Sequence, residues 1–244
     1  DWKDTDLVET MVAFLDAVME DFIVKLETMR DHKDAEKRQA FTFMERAYNF
    51  AKSNRALGLG VLGYHSLLQA KKLPFDSDEA ATLNKEVIKN MHEKAEAATK
   101  QLAQELGEPE VLKGYGRRNT TTMAIAPTTS SAFILGQVSQ GIEPIWSNCY
   151  VKDVAKMKVT IKNPTLVEIL KEKDRDNKAT WDSIRDNDGS VQHLDCLSIE
   201  EKDIFRTFAE IDQSKVVEHA ADRQEYIDQG QSLNVMVDPN TPVK

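Results

Sequence analysis

Cysteine is scarce in this sequence, and several classes of protein are excluded by what is missing. The 244 residues contain two cysteines, Cys149 and Cys196, which are far apart and form no Cys-x-x-Cys or Cys/His pattern. This spacing indicates neither a disulfide scaffold nor a zinc site. The sequence also lacks an apolar run of membrane-spanning length, and its amino terminus has neither the basic nor the apolar region of a signal peptide. We therefore expect a cytoplasmic protein.

Positive charge is in deficit. The chain has 41 acidic and 32 basic residues, which gives a formal net charge of −9. This balance argues against broad binding to nucleic acid or to anionic membranes, although a local basic pocket stays open. The length suits one large domain or two small ones. Because the sequence does not begin with Met, we expect it to be a piece of something longer.

Helical periodicity covers most of the chain. The first predicted helix follows Asp6 and carries an apolar stripe from Val8 to Leu26, a pattern typical of core packing. Ser198 begins a capping-box pattern that predicts another helix start. Further helices are predicted over Ala35–Lys52, Tyr64–Ala70, Asp78–Leu106 (or from Ser77), Asn163–Lys171, Trp181–Arg185 and Val216–Tyr226. Short β-branched and apolar runs predict strands at Thr120–Ala126, Val159–Ile161 and Leu233–Val237.

A cluster of hydroxyl side chains is the first candidate site. Pro127 ends the predicted strand, and Thr128, Thr129, Ser130 and Ser131 follow before an apolar run that could open a helix. The first backbone N–H groups of a helix have no partner inside it, and the helix dipole adds partial positive charge there. A phosphate could bind at such a place without a lysine. The alternative is that Thr128 or Ser130 is simply a helix N-cap.

Three other features allow a functional or a structural interpretation. Gly58, Gly60 and Gly63 fit the Gly-x-Gly-x-x-Gly pattern of dinucleotide loops, but no strand precedes them, so a turn or a close backbone approach is favoured. His65 has no partner nearby in the sequence, and a structural role is favoured. Glu143 could act as a base, although no second carboxylate lies near it in the sequence.

Two arginines precede the hydroxyl cluster. Arg117 and Arg118 could bring positive charge near an anion site, although solvated loop charges are the commoner case. Gly141–Pro144 (GIEP), after the cluster, predicts a rigid turn.

Several segments together resemble one enzyme family. The run RNTTTMAIAPTTSS begins at Arg118, GIEP begins at Gly141, and SNCYVKD begins at Ser147. NDGSVQ from Asn187, YIDQGQSLN from Tyr226 and NRALGLGVLG from Asn54 match as well. Taken in their order along the chain, these segments resemble the large (catalytic, α) subunit of class I ribonucleotide reductase, and the resemblance covers nearly the whole chain.

The resemblance implies a fold, a reaction and a site. The family fold is a ten-stranded α/β barrel, so we expect a helix-rich α/β chain in which residues 1–244 form one segment of that barrel. The family's reaction replaces the ribose 2′-hydroxyl of a ribonucleoside diphosphate by hydrogen. In the family, a proline-hydroxyl loop holds the substrate diphosphate. Carried over by position, this role falls on Thr128, Thr129, Ser130, Ser131 and the backbone of Ala132.

The resemblance also implies what the chain does not contain. The family's radical cysteine and reducible cysteine pair precede the matched region, and its tandem tyrosines and shuttle cysteines follow it. Cys149 and Cys196 do not take those positions, so we expect no catalytic residue, bound cofactor or metal here. The implied partners are the rest of the large subunit, a metal-containing small subunit that generates the radical, and a dithiol reductant of the thioredoxin or glutaredoxin type. We expect the chain to be inactive alone.

Two other classes stay open. One is a non-catalytic helical anion-binding or scaffold protein derived from this fold, which would fold alone and bind phosphate without a partner. The other is a dinucleotide enzyme built on Gly58, Gly60 and Gly63, which would bind NAD.

Overall fold

A computed structural model describes residues 2–136, 139–154 and 157–237, and helices dominate these ranges. The described residues form two compact units. The first comprises residues 2–60, 87–124 and 226–230, and the second comprises residues 61–86, 125–225 and 231–237. The α-helices are α1 (Leu7–Arg30), α2 (Ala35–Asn54), α3 (Tyr64–Ala70), α4 (Asp78–Leu106), α5 (Thr129–Ile134), α6 (Pro164–Glu172), α7 (Lys178–Asp186), α8 (Ile199–Ile204) and α9 (Gln213–Gln224).

The helices predicted from the sequence are confirmed, with small shifts at their ends. The α3 prediction has the observed bounds, and Ser198 caps α8 in a capping box with Glu201. Asn163 accepts hydrogen bonds from the first turn of α6, where Pro164 is the first helical residue. Asp6 occupies the N-cap position of α1, but its side chain makes no capping hydrogen bond.

In the first unit, α1 and α2 pack through an apolar cluster that includes Ile23, Leu26 and Phe41. The ring of Tyr48 meets Phe41 edge to face, with centroids 5.5 Å apart, and its hydroxyl donates to Glu27 at 2.7 Å. Of the stripe predicted from the sequence, Val8, Val12 and Leu26 are buried, whereas Val18 is 49% exposed.

A buried ionic network also lies in the first unit. Asp16, which is 2% exposed, accepts hydrogen bonds from Arg55, Arg118 and Asn119 at 2.8–3.0 Å. Asn119 in turn accepts from the hydroxyl of Thr99. The network joins residues that are far apart in the sequence.

The predicted strand Thr120–Ala126 is wrong as a regular strand. Among the described residues it forms a single parallel bridge, between Leu59 and Met123. The carboxylate of Asp228 accepts the N–H groups of both Thr122 and Met123, at 2.7 and 2.8 Å. Consecutive N–H groups of a regular strand point to opposite edges. One carboxylate can bind both only where the backbone leaves the strand conformation, so no ladder forms.

The second unit contains the sheet that the described residues form, an antiparallel pair of β1 (Cys149–Val154) and β2 (Met157–Lys162). The predicted strand Val159–Ile161 lies inside β2 and is confirmed, whereas β1 was not predicted. Cys149 and the helices α6 and α7 contribute to one apolar core, and Tyr64, Phe75 and Phe208 belong to another.

The predicted strand Leu233–Val237 is wrong. This segment is irregular, and the Met236 N–H donates to the side chain of Gln213 at 2.7 Å. A side-chain acceptor thus takes a backbone group that a neighbouring strand would otherwise pair.

Candidate functional site

The hydroxyl cluster begins at Thr128, which stands at the cap position of α5 without capping it. Its backbone is left-handed, with φ 45° and ψ 28°, which is uncommon for a β-branched residue. Its hydroxyl oxygen accepts the Gly141 N–H at 2.8 Å and binds no N–H of the helix. Ser130 lies inside α5 and is not its cap either. The alternative that either side chain serves simply as the N-cap is therefore wrong.

The next residues present polar groups to solvent. Thr129, Ser130 and Ser131 are exposed, while Ala132 is 1% exposed and anchors the helix. The Thr129 hydroxyl donates to Gln140 Oε1 at 3.1 Å. The first N–H groups of α5 have no acceptor within the helix, and no side chain at Thr128 replaces one. The first turn thus combines backbone donors with the exposed hydroxyls of Ser130 and Ser131.

Residues 139–145 support the cluster from the second unit's own core. Two reciprocal hydrogen bonds join this segment to the start of α3. The Ser66 N–H donates to the Ser139 hydroxyl at 3.1 Å, and the Ser139 N–H donates to the Ser66 hydroxyl at 2.8 Å. The Gly63 and Tyr64 N–H groups donate to the carbonyls of Ser139 and Gly141. These bonds fix Gly141, the residue whose N–H holds the Thr128 hydroxyl.

The sequence did not predict that Gln140 and Gly141 would form hydrogen bonds with Thr129 and Thr128. The signal was present in the motif after the cluster, where the turn has a glycine. Gly141 has φ +50°, and a Cβ there would lie 3.0 Å from the Ala126 carbonyl oxygen. The glycine is required by this close approach, which brings its N–H to Thr128.

His65 has a structural position, as favoured from the sequence. It is fully buried, its Nδ1 accepts the Ile145 N–H at 2.9 Å, and its ring meets Phe75 edge to face. Burial lowers the pKa of His65 to about 3, so the ring is neutral at ordinary pH. A neutral ring that accepts at Nδ1 carries its proton on Nε2.

Glu143 is buried and is bound by an amide. Asn234 Nδ2 donates to Glu143 Oε1 at 2.6 Å, and the Glu143 N–H donates to the Gln140 carbonyl. Within the described ranges no hydrogen bond joins the Glu143 carboxylate to the hydroxyl cluster.

The two arginines are engaged inside the first unit. Arg118 donates to Asp16 at 2.8 Å and to the carbonyls of Leu106 and Gly107, while Arg117 lies 2.6 Å from Glu96. Arg118 is buried. Neither is a solvated loop charge, and both guanidinium groups are compensated by carboxylates.

The remaining candidates have structural surroundings. The glycine at position 58 approaches Ala124, where a Cβ would lie at 3.0 Å, and Gly63 precedes α3 in a left-handed conformation. Cys149 and Cys196 are free thiols, and burial raises the pKa of the Cys149 thiol.

In the described ranges no group of three or more His, Cys, Asp or Glu side chains could hold a metal ion. No helix in those ranges is long and apolar enough to cross a membrane.

The comparison with protein families covers nearly the whole chain. The sequence matches the ribonucleotide reductase barrel domain over residues 1–115 and 109–244. The ribonucleoside-diphosphate reductase large subunit of Invertebrate iridescent virus 6 is 39% identical over 98% of this chain and 24% of its own length. A putative large subunit of Frog virus 3 is 37% identical over 96% of this chain and 40% of its own length.

A solved structure agrees with these relatives. The Actinobacillus ureae class Id ribonucleotide reductase α subunit is 51% identical and superposes with a TM-score of 0.87, over 99% of this chain and 42% of that one. The chain therefore spans about a quarter to two fifths of these proteins. It belongs to the ribonucleotide reductase family, as a segment of the large-subunit barrel domain.

Proposed function

We propose that this chain is part of a ribonucleoside-diphosphate reductase large subunit and binds the diphosphate of the substrate through Thr128–Ala132. The observation that carries the proposal is the 51% identity with a class Id α subunit across 99% of the chain. Residues 1–244 are then one segment of the barrel. The chemistry belongs to residues outside this segment.

The geometry of the hydroxyl cluster supports the assignment of the phosphate site. A diphosphate has only acceptor oxygens at neutral pH, and the first turn of α5 offers it backbone N–H groups and two exposed hydroxyls. Charge-assisted hydrogen bonds of this kind are stronger than neutral ones. The Thr128 and Thr129 hydroxyls are held by Gly141 and Gln140, so they shape the loop.

The proposed reaction requires partners. Reduction of a ribose 2′-hydroxyl needs a radical, a dithiol and an acid or base within reach of one ribose. We assign these to the remaining part of the large subunit, to a radical-generating metal-containing small subunit and to a dithiol reductant. The expected substrate is a ribonucleoside diphosphate.

An activity assay tests the assignment of the chemistry. The chain is mixed with a radical-generating small subunit, a dithiol reductant and ADP, with and without the rest of the large subunit as a separate polypeptide. We expect deoxynucleotide only when that polypeptide is present. Turnover by the chain with the small subunit and the reductant alone would show that the chemistry lies within these 244 residues.

A binding assay tests the phosphate site. In the reconstituted protein, we expect the double variant Ser130→Ala/Ser131→Ala to bind ADP at least about tenfold more weakly, because two hydrogen bonds to a charged group are lost. Ser232→Ala, which removes another exposed hydroxyl, is the matched control and should leave the affinity unchanged. Equal ADP affinity in the double variant and in the unaltered protein would show that these hydroxyls do not bind the diphosphate.

A further inference from the structure

The buried carboxylate of Glu143 is bound by a segment that lies far from it in the sequence. Glu143 is 7% exposed, and its Oε1 accepts a hydrogen bond from Asn234 Nδ2 at 2.6 Å. A carboxylate accepts hydrogen bonds and an amide nitrogen donates them, so the two side chains are complementary. Loss of this donor would leave a buried carboxylate oxygen without its partner, which is unfavourable unless the backbone that carries it moves.

The segment that carries Asn234 is anchored on both sides of it. On one side, the Gln231 amide donates to the Ala220 carbonyl at 2.6 Å. On the other side, the Met236 N–H donates to Gln213 Oε1 at 2.7 Å. Both acceptors belong to α9. The amide of Asn234 is therefore presented from a backbone that this helix holds.

The backbone of Glu143 closes the turn that supports the hydroxyl cluster. Its N–H donates to the Gln140 carbonyl at 3.0 Å, and Gly141 between them has φ +50°, as tight turns with a glycine at the second position do. The same turn brings the Gly141 N–H to the Thr128 hydroxyl and the Gln140 side chain to Thr129. The Glu143 side chain and the groups that hold the cluster thus belong to one turn.

Thr128 depends on that turn for its conformation. Its φ of 45° is strained for a β-branched residue, and strained residues persist where their surroundings hold them. The Gly141 N–H holds Thr128 by its hydroxyl at 2.8 Å. A shift of the turn would release Thr128 into a relaxed backbone conformation, and the start of α5 would move with it.

We propose that Glu143 and Asn234 are positioning residues of the phosphate site, and that their hydrogen bond keeps Thr128–Ala132 in the shape that binds the diphosphate. This inference rests on the function proposed above, because it takes Thr128–Ala132 as the site. Helix α3 holds the turn through its backbone, and the Glu143 side chain adds an anchor from residues 231–236. Diphosphate affinity then depends on a segment outside the hydroxyl cluster.

An exchange of donor and acceptor tests the pair in the reconstituted protein. Asn234→Asp places two carboxylates in contact, so the hydrogen bond is lost and ADP affinity should fall at least about fivefold. Adding Glu143→Gln to Asn234→Asp restores a bond, because the new amide donates to the new carboxylate. The double variant should bind ADP within about twofold of the unaltered protein. Asn49→Asp adds the same charge at an exposed position of α2 and is the matched control, with unchanged affinity.

Amide hydrogen exchange reports the turn without any ligand. The peptide 139–145 contains the hydrogen-bonded N–H groups of Ser139, Gly141, Glu143 and Ile145. We expect this peptide to exchange at least about tenfold faster in Asn234→Asp, because its anchored turn opens more often. The double variant should return the exchange to the rate of the unaltered protein.

Three results would overturn the proposal. The first is unchanged exchange of the peptide 139–145 in Asn234→Asp. The second is a double variant that binds ADP as weakly as Asn234→Asp does. The third is unchanged ADP affinity in Asn234→Asp. If Asn234→Asp does not fold, Asn234→Ala removes the donor without adding a charge and should lower ADP affinity as well.

The Ser130→Ala/Ser131→Ala variant separates this proposal from the function on which it rests. If that variant binds ADP weakly while Asn234→Asp binds it normally, the phosphate site stands and the positioning role is wrong. If the serine variant also binds ADP normally, the phosphate site itself is wrong, and the positioning role is wrong with it.

Discussion

Gly189 approaches Ser147 so closely that no side chain fits between them. A Cβ on Gly189 would lie 1.9 Å from Ser147 Oγ and 2.6 Å from its Cα. Gly189 also has φ +82°, in the left-handed region, and its carbonyl accepts both the N–H and the side-chain amide of Asn148. The turn after α7 is therefore packed directly against the start of β1.

Gly189→Ala should strongly destabilise the protein. The new methyl group collides with the backbone of Ser147, and alanine is strained at this φ. We expect the free energy of unfolding to fall by about 3 kcal/mol or more, measured by chemical denaturation. Gly230→Ala is the control, because a Cβ there meets no atom within 4 Å and should change stability by less than about 1 kcal/mol. A similar, small effect of both variants would contradict the packing.

The helices could be predicted from the sequence because their signals are local. The bounds of α3 and the capping box of α8 depend on residues within a few positions of each other. The strand predictions at Thr120 and Leu233 failed for the opposite reason. Asp228 accepts a backbone N–H of the first segment and Gln213 accepts one of the second, in place of a neighbouring strand. Both acceptors lie far away in the sequence or in another element.

The hydroxyl cluster could be located from the sequence, and Gly141 marked a tight turn after it, but the sequence did not pair that turn with Thr128. The residue types and the resemblance both pointed to Thr128–Ser131. The bonds that hold Thr128 and Thr129 come from Gly141 and Gln140, which lie across an intervening segment. Distant hydrogen bonds of this kind leave no periodic pattern in a sequence.

Asp16→Asn tests the buried ionic network of the first unit. Burial alone would raise the pKa of Asp16, but hydrogen bonds from Arg55, Arg118 and Asn119 outweigh it and hold the pKa below its usual value. Neutralising the carboxylate removes the buried counter-charge that Arg55 and Arg118 share and leaves them only Glu20, which is 53% exposed and lies 2.6 and 3.9 Å away. We expect the free energy of unfolding at pH 7 to fall by about 3–5 kcal/mol.

The pH dependence gives the same network a sharper test. Since the folded pKa of Asp16 is depressed, its contribution is present above the unfolded value of about 3.9 and is lost as the pH falls through the folded pKa. Asp16→Asn should flatten this acid limb of the stability curve. Asp21→Asn, on the same helix, breaks an exposed pair with Lys25 and should cost less than about 1 kcal/mol. Equal costs for the two variants would contradict a buried network.

His65 should make the protein sensitive to mild acid. Its folded pKa of about 3 lies below the unfolded value of about 6.5, so the unfolded chain binds a proton that the folded chain does not. Stability from this group is full above about pH 6.5 and falls between pH 6.5 and 3, by up to about 1.4 kcal/mol per pH unit. His219, whose pKa burial lowers to about 4, adds a second slope in the same direction.

His65→Gln separates the two histidines. Glutamine can still accept the Ile145 N–H through its amide oxygen, but it does not titrate. The absolute stability is expected to change, so the quantity to measure is the slope of the unfolding free energy between pH 6 and 4. That slope should fall by about 1.4 kcal/mol per pH unit in His65→Gln. An unchanged slope in His65→Gln would mean that His65 takes up a proton in the folded chain, which its burial against Phe75 opposes.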